Sequence, residues 1–575
     1  MILVYDFEVF KYDWMMGYAV LDERKEGCIC NDPEALKAFY KARINDIWVG
    51  FNSRNYDQYI LKSILEGLDP KRCNDFIILE GQPGWKFCSR FRNYPLNNYD
   101  VMNNIDRGLK FFEGSMGNNI KETSVPFDLD RKLTPEELKE TKKYNLHDVE
   151  QTAEVFLKRK ADFEAQLDLV KIICKGRPLD LSLISKTQPQ LSAIILDATK
   201  QEHDDAFDIN FPGTMQIQKY KAVPDWYADP ENHHYKDDNK KHALEIMIAG
   251  CPHTFAWGGV HGALKKYHGE GFYLMADVAS LYPSLMIRYN LHSRNMKDPQ
   301  KFVDIYNTRL KLKKEHNPLQ KVLKLVLNST YGVMKDYSNA LFDPRQANRI
   351  CVYGQLLILD LIEHIERAVP GIQLIQSNTD GILVKLQDPA DYYKVDDVAY
   401  EWEQRTGLNL EFDEYHKVFQ KDVNNYVIVA WDGHTKTKGA YVKALSDLDY
   451  DLPILNTALV KYMVDGVPVS ATINGCNDLK EFQMVGRASG KYTCILYGEK
   501  ALNEKTIRIF ASKDEADPGV VKIHAETGRP AKISNSPEHC FIWNDDVNGV
   551  PVPEKLNKQW YVDLAEKRLK DFGVN

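Results

Sequence analysis

The most informative stretch of the chain reads Asp277-Val278-Ala279-Ser280-Leu281-Tyr282-Pro283-Ser284. It follows the apolar run Phe272-Tyr-Leu-Met, so an acidic side chain stands just beyond a segment suited to burial. Considered alone, Asp277 could be a helix cap and Tyr282 a core residue. A second acidic residue, Asp380, lies in a polar turn within a strand–turn–strand pattern over residues 369–386. The sequence thus offers two acidic residues where apolar segments end.

A basic helical pattern lies between these two acidic residues. Residues 300–335 are rich in Lys and Arg, and the break at Asn317-Pro318 predicts two helices joined by a turn. Two pairs of side chains lie four residues apart and therefore share a helix face: Arg309 with Lys313, and Lys324 with Asn328. Such a basic face could neutralise the charge of an anionic ligand. The alternative is a solvated amphipathic helix.

The first part of the chain carries a separate set of polar residues at comparable positions. Asp6 and Glu8 lie two apart after a strand-like run, and side chains two apart in a strand share a face. Asp57 lies where a second strand-like run turns into a helix, and Tyr144 and Asp148 lie four apart in the helical pattern 134–160. Four carboxylates could bind two divalent cations, and the tyrosine could orient a water. A lone Asp-x-Glu pair is more often a solvated strand edge.

Taken in order, these motifs resemble those of known enzymes. The N-terminal set is similar to the three exonuclease motifs of DnaQ-like proofreading domains. The stretch from Asp277 resembles motif A of family B DNA polymerases, and Lys324-x-x-x-Asn328-Ser-Thr-Tyr331-Gly332 resembles motif B. Asn378-Thr379-Asp380 resembles motif C, in which the family usually has Asp-Thr-Asp. The resemblance extends from Asp6 to about Gly439.

The resemblance implies a mixed α/β and α+β multidomain fold. An RNase H-like 3′→5′ exonuclease domain would precede a right-hand polymerase with palm, fingers and thumb. The expected division is 1–200 for the exonuclease, 201–299 for the linker and first part of the palm, 300–335 for the fingers, 336–444 for the second part of the palm, and 445–575 for the thumb and C-terminal region. The last assignment rests on position alone.

The resemblance also implies roles for the matched polymerase residues. Asp277 and Asp380 would form the catalytic pair and bind metal together with Val278. Tyr282 would exclude a 2′-hydroxyl, and Lys324 would assist the departing pyrophosphate. Contacts to the incoming dNTP are expected from Ser280, Leu281, Tyr282, Arg309, Lys313, Lys324 and Asn328.

Further matches imply the remaining roles. In the exonuclease part, Tyr144 would act in catalysis, and metal would be bound by Asp6, Glu8, Asp57 and Asp148. Trp257-Gly258-Gly259 is similar to the family's Y-x-G-G linker, with Phe255 as the alternative aromatic. Tyr426 and Lys438 stand near the place of its K-K-x-Y element. DNA contacts are expected from Asn52, Trp257, Gly258, Gly259, Tyr331, Gly332, Asn378, Thr379, Tyr426 and Lys438.

Composition sets the expected cofactors and surroundings. The 575 residues carry a formal net charge of −8, which does not exclude nucleic acid, because binding needs only a local basic stripe. The ten cysteines are scattered, without the CxxC pairs or Cys/His ladders typical of zinc sites. Two Mg²⁺ per active site are expected, with Mn²⁺ as a substitute. We expect a monomer in the cytoplasm, of the host if phage-encoded, with no membrane association, acting on primer–template DNA and dNTPs beside replisome proteins such as a helicase or single-strand-binding protein.

The sequence therefore predicts a template-directed DNA polymerase with 3′→5′ proofreading. The intervals between motifs A, B and C are short, without the insertions of protein-primed phage replicases, so a compact bacteriophage-type enzyme using a nucleic-acid primer is expected. Asn378 keeps open a nuclease whose polymerase half is inactive or untemplated. A non-enzymatic replisome scaffold is a further alternative, and Leu281-Tyr282-Pro283 disfavours a reverse transcriptase.

Overall fold

The structure, a computed structural model, describes residues 1–102, 107–439 and 441–574. The chain divides into two units. The first comprises Met1–Thr187, Leu445–Ile454 and Gly475–Tyr561. The second comprises Gln188–Ala444, Leu455–Asn474 and Val562–Asn575.

Residues 1–187 alternate between strands and helices. The strands are β1 (Ile2–Val9), β2 (Trp14–Val20), β3 (Lys25–Cys30), β4 (Ile47–Gly50) and β5 (Asn97–Asp100). The helices are α1 (Pro33–Ala42), α2 (Asp57–Leu65), α3 (Pro70–Ile78), α4 (Leu109–Met116), α5 (Pro135–Lys158) and α6 (Lys160–Ile173).

Residues 188–444 contain longer strands and the longest helix of the described chain. The helices are α7 (Gln188–Ile195), α8 (Ala222–Ala228), α9 (Leu281–Arg288), α10 (Gln300–Lys314), α11 (Leu319–Val333), α12 (Pro344–Ala368) and α13 (Tyr392–Thr406). The strands are β6 (Lys236–Asp237), β7 (Lys240–Lys241), β8 (Leu244–Ile248), β9 (Cys251–Ala256), β10 (Gly259–Ala263), β11 (Tyr267–Val278), β12 (Gln373–Ser377), β13 (Gly381–Leu386), β14 (Leu410–Asp422), β15 (Asn425–Ala430) and β16 (Thr435–Lys438).

The C-terminal part adds short strands. They are β17 (Met484–Arg487), β18 (Tyr492–Tyr497), β19 (Lys500–Leu502), β20 (Thr506–Ala511), β21 (Val520–His524), β22 (Pro530–Lys532) and β23 (Cys540–Ile542). Its helices are α14 (Pro453–Asp465), α15 (Val469–Gly475) and α16 (Lys558–Asp571). All seven strands lie in the first unit.

The first unit is built on a five-stranded mixed sheet of order β3-β2-β1-β4-β5. Strand β1 lies at its centre, parallel to β4 and antiparallel to β2. A strand covered on both faces is apolar at successive positions, and the side chains of Leu3, Val4 and Tyr5 are fully buried. The apolar run ends at Asp6, so the first acidic residues of the chain, Asp6 and Glu8, lie on the central strand of the sheet.

The second unit is built on a nine-stranded antiparallel sheet of order β16-β15-β14-β11-β13-β12-β10-β9-β8. Strand β11 pairs with β13 on one side and β14 on the other. Helix α12 packs against this sheet and is buried along most of its length. The two strands that carry Asp277 and Gly381 are therefore neighbours at the middle of a covered sheet.

Several local predictions are confirmed. The helical pattern 134–160 becomes α5, whose first turn has a capping box between Thr134 and Glu137. The basic pattern 300–335 becomes α10 and α11, and the strand–turn–strand pattern 369–386 becomes β12 and β13. The mixed α/β, multidomain class is confirmed as well. The five-part division of the chain stays a prediction.

None of the helices in the described ranges is long and apolar enough to cross a membrane.

Candidate active sites

Four carboxylates of the first unit form what we call the N-terminal carboxylate site: Asp6, Glu8, Asp57 and Asp148. Ligand oxygens of Asp6, Glu8 and Asp148 lie within 4.8 Å of one another. Asp57, at the start of α2, accepts a hydrogen bond of 3.1 Å from the backbone N–H of Phe7, between the two acidic residues of β1. The four side chains therefore lie close together, as the sequence pattern predicts. Two come from β1, one from the first residue of α2 and one from α5.

The carboxylates of this site are both buried and mutually repulsive. Burial raises the pKa of Asp6 well above its usual value, and the neighbouring charges of Asp57 and Glu8 raise it further. Burial likewise raises the pKa of Asp57 to about 7 and that of Asp148 to about 6. A cluster whose ionisation is costly is stabilised by bound cations, and its hard oxygen donors suit Mg²⁺ or Mn²⁺.

Lys110 is a member of this neighbourhood that the sequence pattern did not indicate. Its Nζ donates to Asp148 Oδ1 at 2.5 Å and to Glu113 Oε1 at 2.9 Å. The side chain of Glu113 is fully buried. Asn145 Nδ2 donates to Asp6 Oδ2 at 2.7 Å and so orients that carboxylate. Asn145 precedes Asp148 by three residues on α5, so helical periodicity could have found it, whereas nothing local marks Lys110.

Tyr144 lies one turn before Asp148 on α5. Its ring centroid is 4.7 Å from Lys110 Nζ, and the residue lines a cavity of about 550 Å³ together with Glu26, Lys143 and His147. Burial and the charge of Asp148 raise the pKa of its phenol, which keeps the hydroxyl protonated and able to donate.

The predicted DNA contact Asn52 lies in the turn between β4 and α2. Its backbone N–H donates to Asp100 Oδ1 at 2.9 Å.

The central carboxylate site, formed by Asp277 and Asp380, lies where β11 ends and β13 begins. Asp277 is the register partner of Gly381, and the N–H of Val278 donates to Asp380 O at 2.7 Å. A Cβ atom on Gly381 would lie 1.9 Å from Asp277 Oδ1. Because glycine has no Cβ, the Asp277 carboxylate lies directly over the backbone of the turn that carries Asp380.

The side chain of Asn378 closes the turn that carries Asp380. Its Oδ1 accepts hydrogen bonds from the backbone N–H groups of Asp380 at 3.1 Å and of Gly381 at 2.7 Å. Asparagine commonly closes turns through such side chain–backbone bonds. An amide oxygen does this without charge, so Asn378 holds Asp380 in place and leaves the two aspartates as the charged oxygen donors of the site.

Lys436 is a cation beside Asp277 that sequence analysis did not indicate, whereas Lys438 was predicted as a DNA contact. Lys436 Nζ lies 3.3 Å from Asp277 Oδ2 and 3.0 Å from Met275 Sδ. Burial raises the pKa of Asp277, and the Lys436 ammonium partly opposes that rise. Alternate residues of a strand share a face, so the spacing in β16 could have placed Lys436 on the same face as the predicted Lys438. Lys438 lines the cavity described next.

A cavity of about 850 Å³ opens beside Asp380 in the second unit. Its walls come from several separate stretches of sequence, and the predicted residues that line it are Ser280, Leu281, Tyr282, Arg309, Lys313, Lys324, Asn328, Tyr331, Asn378, Thr379, Asp380 and Lys438. Arg309 is 6% exposed, and its Nη1 donates to Ser280 Oγ at 2.9 Å. The ring centroids of Tyr282 and Tyr331 lie 3.9 Å apart. The predicted Gly332 has open space beside it, since a Cβ atom there would meet nothing within 4 Å. Basic, aromatic and acidic groups thus surround one space large enough for a nucleotide.

Two predicted aromatic contacts are buried. Trp257 is 2% exposed and its indole N–H donates to Asn232 O at 2.8 Å, and Phe255 is 1% exposed. The adjoining Gly259 has φ +143°, and a Cβ there would lie 3.7 Å from Thr379 Oγ1. Tyr426 is 4% exposed and packs in a cluster with Tyr273 and Met275. These rings support the backbone from inside, and Gly259 is the residue of its motif that approaches the turn carrying Thr379 and Asp380.

Comparison with known proteins finds distant relatives that are named DNA polymerases. The chain is 24% identical over 309 residues to DNA polymerase 1 of Saccharolobus solfataricus, which covers 50% of this chain and 32% of that protein. It is 25% identical over 202 residues to DNA polymerase 1 of Sulfurisphaera ohwakuensis, covering 34% and 22%. Both relatives are DNA polymerases by name, which supports the resemblance of this chain to DNA polymerases.

The likeness to family B DNA polymerases is remote and partial. The chain matches less than a third of the length of these two curated relatives. No family model matches the chain. A solved family B DNA polymerase from Pyrobaculum calidifontis aligns with 99% of this chain and 77% of its own at 16% identity and a TM-score of 0.40. These relatives are archaeal, and the expected bacteriophage type stays a prediction.

Proposed function

We propose that the chain is a template-directed DNA polymerase that extends a primer 3′-hydroxyl with dNTPs and carries its own 3′→5′ exonuclease. The observation that carries the proposal is the cavity of about 850 Å³ beside Asp380. Residues that are far apart in sequence, and that match three polymerase motifs, line this one space. A dNTP needs such an arrangement: cations for its phosphates, an aromatic surface for its sugar and carboxylates at its reacting end.

Metal binding at the central carboxylate site is supported by its donor chemistry. Asp277 and Asp380 are hard oxygen donors, and the missing Cβ of Gly381 lets the Asp277 carboxylate extend over the turn. Two Mg²⁺ ions, or Mn²⁺ in their place, would be held there and would supply positive charge to the attacking hydroxyl and the reacting phosphate. Asn378 fixes the backbone of the turn at Asp380 through its side-chain oxygen.

The rest of the polymerase reaction is assigned to side chains of the cavity. Arg309, Lys313 and Lys324 bind and orient the triphosphate, and Lys324 donates a proton to the departing pyrophosphate. Tyr282, packed against Tyr331, forms a rigid surface under the sugar and leaves no room for a 2′-hydroxyl. The template–primer duplex would lie against Gly258, Gly259 and Lys438.

The N-terminal carboxylate site is proposed as the exonuclease. Its raised pKa values and its ligand oxygens within 4.8 Å of one another suit the binding of divalent metal. Tyr144 donates a hydrogen bond that orients the attacking water, and Lys110 offsets the charge of Asp148. Asn52, at the turn before α2, would contact the single strand. The five-stranded sheet is the candidate RNase H-like core.

Further assignments follow from the same proposal. The sheet around β11 and β13 would be the palm, and α10 with α11 the fingers. The thumb is assigned to residues 445–575 by position. The short intervals between the motifs support a nucleic-acid primer rather than a protein primer. Helicase and single-strand-binding protein are proposed as replisome partners of a monomeric enzyme.

Two single substitutions test the proposal. We expect Asp380→Ala to abolish primer extension and leave single-strand degradation intact, and Asp6→Ala to do the reverse, because each removes a metal ligand from one site. Both activities are measured on gels with Mg²⁺, adding one dNTP at a time so that template dependence is read directly. Exposed Asp397→Ala is the control for loss of a carboxylate. Loss of both activities from either folded variant, or addition that ignores the template, contradicts the proposal.

A further inference from the structure

A short hairpin in the second unit brings two histidines to one aspartate. Strands β6 and β7 pair through Lys236 with Lys241 and through Asp237 with Lys240. The two residues between them, Asp238 and Asn239, have φ values of 41° and 67°. Positive φ at both central positions is the type I′ geometry of tight hairpins. The hairpin returns the chain so that His242 lies beside His234 and Asp237.

The three side chains of this cluster point their ligand atoms at one another. His234 Nε2 lies 2.7 Å from Asp237 Oδ1, and His242 Nδ1 lies 2.5 Å from Asp237 Oδ2. The imidazole rings are stacked with centroids 4.0 Å apart. All three candidate ligand atoms fall within 4.8 Å of one another. Two imidazoles and one carboxylate are a ligand set typical of Zn²⁺.

The orientation of His242 is fixed by a second layer of contacts. The amide of Asn232 donates through Nδ2 to Trp226 O at 3.0 Å, so its Oδ1 faces His242 Nε2, also at 3.0 Å. That oxygen only accepts, so the contact suits a hydrogen on Nε2 and leaves Nδ1 as the nitrogen that faces Asp237. The Trp226 ring stacks on the imidazole at 5.1 Å. Metal-binding histidines are commonly held in this way through their other nitrogen.

Each imidazole nitrogen that faces Asp237 must be separated from the carboxylate oxygen by a hydrogen or a cation, because a lone pair and a carboxylate oxygen repel each other at 2.5 Å. An imidazole N–H can supply the hydrogen, and a divalent cation can take its place. The side chains of His234, Asp237 and His242 are 40%, 59% and 16% exposed, so an ion has access from solvent.

We propose that His234, Asp237 and His242 bind one divalent transition-metal ion of the Zn²⁺ class, distinct from the two carboxylate sites. Water would complete the coordination of such an ion, because the side chain of Asp237 is exposed. The ion holds the hairpin in place, and the hairpin adjoins Trp257, whose indole N–H donates to Asn232 O. Through this contact a bound ion would stabilise the part of the fold that supports Gly258 and Gly259. Sequence analysis missed it because the three ligands follow no Cys/His spacing typical of zinc.

Metal retention by the full chain tests this proposal. The protein is stripped with a chelator, mixed with Zn²⁺ in millimolar Mg²⁺, and passed through gel filtration before elemental analysis. Magnesium fills oxygen-only sites but does not compete for imidazole nitrogen. We expect one equivalent of Zn²⁺ per chain to be retained, and Co²⁺ in its place to show the intense visible absorption of a four-coordinate site. No retention in the presence of Mg²⁺ overturns the proposal.

Matched variants separate this site from the others. His242→Ala and Asp237→Asn are expected to weaken Zn²⁺ binding about 100-fold or more, and Asn232→Ala about 10- to 100-fold. Asp238→Asn is the control, since it removes a charge from the same hairpin and asparagine tolerates the left-handed conformation. Asp6→Ala is expected to leave Zn²⁺ retention unchanged. Should His242→Ala melt early in chelator, exposed His234→Gln is the second variant. Equal retention by His234→Gln and the wild type overturns the proposal.

Discussion

At the scale of single residues, Gly381 determines how the two aspartates of the central site meet. An alanine Cβ there would lie 1.9 Å from Asp277 Oδ1 and 2.8 Å from Ala276 O, so the carboxylate would have to rotate away. A misplacement of about 1 Å can lower a rate about 100-fold. We therefore expect Gly381→Ala to lower kcat for primer extension by about that factor, with exonuclease activity unchanged. Gly213→Ala is the control, because a Cβ there meets nothing within 4 Å. Unchanged extension by Gly381→Ala would show that Asp277 is not needed in this position.

A second prediction at this scale links pH, metal and stability through Asp57. Burial raises its pKa to about 7, whereas an unfolded aspartate has a pKa of about 3.9. The folded state thus favours the protonated form, so this group lowers the free energy of unfolding above about pH 7, and the loss disappears as the pH falls toward 4. In chelator at pH 8, Asp57→Asn is expected to melt a few degrees above the wild type, and the difference should shrink as the pH falls and vanish near pH 4.

Magnesium should change the order of these melting temperatures. At pH 8 the ion stabilises the wild type more than Asp57→Asn, because the variant has lost a ligand. Exposed Asp128→Asn is the control and should follow the wild type throughout. Thermal unfolding followed by circular dichroism measures all three proteins. A melting temperature of Asp57→Asn below that of the wild type in chelator at pH 8 would contradict the charge-repulsion account.

At the scale of elements, α10 presents a buried cation to the cavity. Arg309 is 6% exposed and its guanidinium bonds Ser280 Oγ, so it is held ready for a phosphate. A hydrogen bond to a charged group contributes about 1.5–3 kcal/mol, or roughly 10- to 100-fold in affinity. We expect Arg309→Ala to raise KM for dNTP by about that factor, measured by steady-state primer extension. Lys314→Ala, exposed near the end of the same helix, should leave KM unchanged. A normal KM for Arg309→Ala would remove α10 from the triphosphate site.

The elements were predictable where the signal is local. The Thr134 capping box, the break at Asn317-Pro318 and the turn before Gly381 each act over a few residues, so sequence alone indicated α5, the α10–α11 pair and the β12–β13 hairpin. Spacing along one element also brought together Asp6 with Glu8 and Tyr144 with Asp148. Lys110 could not be predicted in this way, because it reaches its carboxylates only through the tertiary fold.

At the scale of the whole molecule, the chain returns to its first unit after leaving it. Strands β17–β23 lie between Gly475 and Tyr561, and these residues group with Met1–Thr187. No periodicity reveals such a return, because the contacts join segments hundreds of residues apart. The prediction assigned 445–575 to a thumb by position alone. The consequence for stability is that the N-terminal region depends on residues from the far end of the sequence.

Arg508 makes that dependence testable. Its side chain is fully buried, and its guanidinium donates to Gly114 O at 3.1 Å, Asn118 O at 2.8 Å and Gln483 Oε1 at 2.9 Å. Removing it leaves several buried acceptors without a donor, at about 1–3 kcal/mol each. We expect Arg508→Ala to lower the free energy of unfolding by about 3 kcal/mol or more, measured by urea denaturation, while exposed Arg529→Ala has little effect. For the same reason a fragment of residues 1–200 should lack a cooperative unfolding transition. If that fragment instead melts cooperatively and degrades single strands, the C-terminal strands are dispensable to the first unit.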